Sequence, residues 1–191
     1  MTSWRRATWC SADAANPQIP GPTRPIAVPV ADIPEDEERM AAVAAIDEWS
    51  TRELDRGESL VAAERQEVTD RTASHRWYLR FKGEEKNFIT LWLTLGQRTL
   101  HHEAQFMPAP EENAEAVYQY LLRRNSDLYG MSFCLGPEDA IYLIGRVAAA
   151  EINDEELDRI AGSSIHYVDE HFPTAMTLGY PKLYRRRPRR G

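Results

Sequence analysis

The chain has 191 residues, 42% of them hydrophobic and 28% charged; this mixture excludes a fibrous repeat, a collagen-like chain and a wholly disordered one, and the length fits one domain with chain to spare. The net charge of -7 is uneven. Of 23 basic residues, three lie before position 32 and six after 181, against one of the 30 acids, so residues 32–181 carry 14 basic and 29 acidic side chains, a net of -15 that repels phosphate backbones and points the folded part away from nucleic acid.

No apolar run approaches the ~20 residues of a membrane span. The arginines of MTSWRRATWC precede no apolar signal segment, so the expected compartment is the cytoplasm. Residues 1–34 hold Pro17, Pro20, Pro22, Pro25, Pro29 and Pro34, which rule out a continuous helix and read as a flexible arm. A body follows over 35–181, and 182–191 read as an arginine-rich disordered tail.

The first helix is expected over 35–56. Pro34 and the acids at 35–38 suit a helix N-terminus, Ala42, Val43, Ile46 and Trp49 share a face, and Gly57 is a stop. Residues 58–74 read either as a loop or as an irregular edge strand. Three strands follow at 75–82, 88–95 and 99–106, each with alternating apolar positions and joined by short polar turns that imply antiparallel hairpins. Strand 88–95 is apolar or aromatic on both faces, so Phe88 and Trp92 require cover from a helix or from another chain, which argues for a homodimer.

A second helix is expected over 111–126, where Ala114, Val117, Tyr118, Leu121 and Leu122 form one stripe. Strands at 131–135 and 140–148 flank the turn residues GPED. A third helix is expected over 154–172, with Asn153 as N-cap, Glu156 placed to close a capping box, and Pro173 ending or kinking it. The order αβββαββα gives an α+β fold, an antiparallel sheet packed with helices.

Residue clusters with chemical potential are few. His101, His102 and Glu103 carry metal-binding groups, but adjacent strand residues face opposite ways, leaving two ligands on a side. Ser163, His166 and Asp169 lie on successive turns of one helix, where side chains stand ~5–6 Å apart, too far for a catalytic triad. Cys134 has no basic neighbour in sequence to activate it, and Cys10 falls in the arm. No glycine motif for nucleotide binding is present. These readings assign no catalytic residue, metal or cofactor. In the tail, Arg185, Arg186, Arg187, Arg189 and Arg190 are either an electrostatic contact for nucleic acid or another anionic surface, or a solubilising terminus.

Four segments carry a family resemblance: LLRRN at 121–125, the G-x-x-F strand opening at 130–133, GPEDAIYL at 136–143 and YVDEHFPTAMTLGY at 167–180. Over 35–181 the chain resembles the actinobacterial branch of the YbjN-domain proteins. The resemblance implies a fold like that of the type III secretion chaperones, which are small acidic α+β dimers. It also implies a role in sensory transduction regulation of uncharacterised biochemistry, with no catalytic residues. The expected function is non-enzymatic binding of a client protein by a chaperone-like or regulatory adaptor, through Trp49, Tyr78, Phe88 and Trp92 unless these are core or dimer contacts. The competing expectation is a small-molecule sensor or enzyme with a pocket between sheet and helices that uses His102, Arg80 or Tyr142.

Overall fold

In the computed structural model, which describes residues 35–66 and 74–184, the alternating segments pair into one antiparallel sheet. The elements are α1 (Glu35–Arg56), β1 (Leu60–Gln66), β2 (His75–Lys82), β3 (Phe88–Leu95), β4 (Thr99–Met107), α2 (Ala114–Arg124), β5 (Ser132–Leu135), β6 (Ile141–Ala148) and α3 (Asp154–Gly179). The six strands are ordered β1-β2-β3-β4-β6-β5. This is the α+β fold expected, with one strand more. The arm before Glu35 and the tail arginines lie outside the described residues.

The extra strand is β1, from the ambiguous segment. It pairs with β2 alone, a register shift between Leu60 and Ala62 breaks its alternation, and Leu60 is its one buried residue. An edge strand needs little apolar surface, so its pattern is weak. Its last residues, Glu64, Arg65 and Gln66, are exposed.

α1 ends where expected: Gly57 adopts φ +65° and its N–H reaches the Glu53 carbonyl at 3.3 Å, a left-handed stop that favours glycine. α3 starts with its capping box half formed. The Asn153 side chain accepts the Glu156 N–H at 3.0 Å, while the Glu156 carboxylate turns forward to Arg159, at 2.7 and 2.5 Å. Pro173 does not end α3, which continues to Gly179. An interior proline costs ~3 kcal/mol. The segment beyond it is held by burial: Ala175 and Gly179 are buried, and Gly179 lies against Met107, Pro110 and Val117. The Tyr180 hydroxyl, just past the helix, donates to the Ala109 carbonyl at 2.5 Å. Leu122 leaves its expected stripe and is 65% exposed, whereas Val117 and Leu121 are buried.

The core lies between the helices and one face of the sheet. Trp77, Leu79, Phe81, Ile89, Leu91, Leu93, Leu95 and Leu100 point into it, meeting Ile46 and Trp49 of α1, Val117 of α2, and Leu157 and Val168 of α3. Full burial of each such aliphatic side chain contributes about 1.5–3 kcal/mol. Both buried indoles satisfy their N–H with a carboxylate at the rim: Trp49 donates to Asp158 at 2.8 Å and Trp77 to Asp47 at 2.7 Å.

The β2–β3 turn is clamped by α3. Asp169 accepts the backbone N–H groups of Glu84, Glu85 and Lys86 at 2.8, 3.0 and 3.2 Å. The Lys86 ammonium donates to the carbonyls of Gln105 and Phe106 on β4, and burial pulls its pKa down to about 8. Asp169→Ala would leave three amide donors without their carboxylate. It is expected to cost about 2 kcal/mol in urea unfolding and to speed hydrogen exchange at 84–86; unchanged stability with slow exchange there would show that the clamp contributes nothing.

Candidate interaction surface

Alternation sends every second strand residue to the other face, which no described helix covers. Across it, register aligns Glu64, Tyr78, Trp92, Glu103, Ile144 and Ser132 in one row. A parallel row runs through Gln66, Arg76, Thr94, His101 and Arg146. Tyr78 and Trp92 meet edge to face, with ring centroids 6.1 Å apart. This packing leaves both half-buried without help from any helix. Phe88 is 43% exposed and lies under the Arg80 guanidinium, 4.1 Å from the ring centroid.

Three of the four residues expected to bind a client therefore share one surface: Tyr78, Phe88 and Trp92. Trp49 does not join them. It is 2% exposed, inside the core on the opposite side of the sheet. Arg80 belongs on the open face too, as its alternation with Leu79 and Phe81 requires, and the register sets it opposite Thr90, between Phe88 and Trp92. Its Nε is buried with no hydrogen-bond partner.

The three side chains of the expected pocket do not converge. Arg80 and Tyr142 are on the open face, while His102 faces the helices and is fully buried. His101 and His102 point to opposite faces, as strand geometry requires. His102 packs on Gly145, where any β-carbon would collide with its ring and with the Gly130 carbonyl, so glycine at 145 is what admits the imidazole. Of the helical trio, Asp169 serves the β2–β3 turn and His166 pairs with Glu170 at 3.4 Å. Cys134 is half-buried on β5, where burial and then Glu103 push its thiol pKa up, away from reactivity.

The β5 edge carries a second apolar feature. Leu122 of α2 and Leu135 of β5, 65% and 53% exposed, flank a groove of about 180 Å³ floored by Tyr118, Leu121, Phe133 and Ile141. β5 pairs with β6 alone and bears no charged residue, in contrast to the charged opposite edge at β1.

The family model for YbjN, described as "Putative bacterial sensory transduction regulator", matches residues 55–175. The chain belongs to the YbjN family. The matched segment of this YbjN domain contains the whole sheet, α2 and α3 through Ala175. Among curated proteins, the uncharacterised protein Rv0487 of Mycobacterium tuberculosis and Mb0497 of Mycobacterium bovis are each 38% identical over 98 residues, 51% of this chain and 54% of theirs. ML2442 of Mycobacterium leprae, also uncharacterised, is 34% identical over 105 residues, 55% of this chain and 57% of its own. The chain thus spans about half the length of the curated relatives it matches. Among the described residues no helix is long and apolar enough to cross a membrane.

The buried histidine of this YbjN domain gives a pH dependence. Burial first, then Arg159 and His101, hold the His102 pKa down to about 4, with Glu156 opposing. The unfolded chain therefore takes up this proton near the ordinary value of 6.5 while the folded chain does not. The associated stability is complete above 6.5 and is lost as pH falls toward 4, by at most about 3 kcal/mol. A His102→Asn variant should show a shallower loss of urea stability between pH 6.5 and 4; an identical slope would remove His102 as the cause.

Proposed function

We propose that this YbjN domain is a non-enzymatic, chaperone-like or regulatory adaptor that binds a client protein on the open face of its sheet and functions as a homodimer. The observation that carries the reading is the row of Tyr78 and Trp92, with Phe88 beside it, on the sheet face that no described helix covers. Contiguous aromatic surface of this kind is a recurrent feature of protein-binding sites. The family's regulatory description supports it and names no reaction. No cofactor enters the proposal.

The test compares capture by the tagged full-length protein and by its Trp92→Ala variant from native lysate. Truncation of Trp92 removes its edge-to-face packing on Tyr78, about 1 kcal/mol, so the urea midpoint should fall modestly with the variant still folded. A stoichiometric partner retained by the native chain is expected to be lost by the variant. A partner held equally by both would move the binding site off this face.

The homodimer is assigned to the β5 edge. Two copies of an uncharged antiparallel edge can pair about a two-fold axis, joining their sheets and burying Leu122 and Leu135. Leu135→Glu should convert the full-length chain from twice its 21.9 kDa mass to the single mass in sedimentation. A single mass for the native chain would refute the dimer, and a dimeric variant would place the contact elsewhere.

A further inference from the structure

We infer that the segment bound by the open face is acidic: a short peptide stretch with one or two carboxylates set among apolar residues. The inference rests on the proposed binding role of that face and adds the chemistry of its partner.

The first support is sign. Residues 32–181 carry a net of -15, yet the open face does not share it. Among the described strand residues, Arg76, Arg80 and Lys82 on β2 and Arg146 on β6 stand there against two carboxylates, Glu64 and Glu103. Anionic side chains gather instead on the exposed sides of α1 and α3. A cationic patch on an acidic body selects an anionic partner at short range.

The second support is the state of Arg80. Arg76 is matched, its Nη2 lying 3.2 Å from Glu103. Among the described residues no carboxylate pairs with Arg80; its guanidinium lies over the Phe88 ring, and its Nε is buried without an acceptor. A ring holds the guanidinium in place but accepts none of its in-plane N–H groups, so the end-on Nη1/Nη2 edge of the fork, unlike the buried Nε, remains available. That fork fits a carboxylate with two parallel hydrogen bonds, in a partly desolvated setting where such a bond is strong.

The third support selects a peptide over a nucleic acid, since aromatics and arginines on an open sheet could also receive bases. A single strand carries a charge at every nucleotide, and the face offers it few free cations, since Arg76 is already paired with Glu103. A peptide with one or two acids meets Arg80 and buries its apolar neighbours on Tyr78, Trp92 and Ile144.

The test selects binders from a random dodecapeptide display library on the immobilised full-length protein. A selected peptide is then titrated against the native chain, Arg80→Gln and Trp92→Ala, with urea midpoints confirming that both variants are folded. Selected peptides should be enriched in Asp and Glu. Affinity should fall about tenfold in Arg80→Gln, and equally when the peptide's acids become amides, as for one lost charged hydrogen bond. It should fall in Trp92→Ala as well. Peptides without acidic enrichment that still need Trp92 would overturn this inference and leave the face as the binding site. Peptides indifferent to both variants would overturn both. Tighter, Trp92-dependent binding of a twelve-nucleotide thymidine strand would make the face a nucleic-acid platform, and would overturn the inference. So would a failure to select any peptide; if Trp92→Ala then also halved the sedimenting mass, a second copy would be the occupant.

Discussion

The three described α-helices lie against the same face of a single sheet, and the other features follow from that constraint. Six strands at ~4.8 Å spacing make a broad surface with two sides, and the described chain supplies cover for one. The parity of each strand residue then decides its environment. Trp77, Leu79 and Phe81 meet helices and disappear into the core. Their neighbours Arg76, Tyr78 and Arg80, one peptide unit away, are left to pack on each other. The half-burial of Tyr78 and Trp92 is a property of this lateral packing.

The same division sorts the charges. The helices present their acids outward and use several of them at the rim, where Asp47 and Asp158 receive the indole N–H groups of Trp77 and Trp49. The open face receives the arginines of β2 and β6. Net charge alone describes this chain poorly, because its acidity belongs mainly to one side of the molecule. Two polar groups buried on the covered side have partners there, Ser164 donating to the Ile160 carbonyl at 2.7 Å and His171 meeting the Tyr120 hydroxyl at 3.1 Å, whereas neither ring nitrogen of the buried His102 has one.

Much of the architecture was readable because its signals are local. Period-two alternation located β2, β3, β4 and β6, and a glycine and an asparagine marked the ends of α1 and α3. β1 was only half readable for the same reason, loop or irregular edge strand, since an edge strand with a register shift carries little alternation. The run of α3 past Pro173 depends on Gly179 meeting Val117 and Met107, a contact between distant segments. The open surface was half legible: the doubly apolar β3 announced that Phe88 and Trp92 needed unusual cover. Alternation put Arg80 on the face of Tyr78 and the sheet register set it beside Phe88, while Trp49, on the apolar stripe of α1, took the core alternative. Leu122 fits a helical stripe by spacing, but lies where α2 overhangs the end of the sheet.

The clamp between Asp169 and the β2–β3 turn joins positions 83 to 85 residues apart, and this separation bears on how the protein is made. Both strands of that hairpin leave the ribosome long before the carboxylate that secures their turn. Until α3 emerges, the strands have neither their clamp nor much of their cover, and the apolar face that becomes the core is open to solvent. Contacts of such long range slow folding and lengthen the time during which unpaired strand edges can meet other chains. For this protein α3 is the element that completes the described fold, so the hairpin is expected to gain its clamp only once residues 154–179 have emerged.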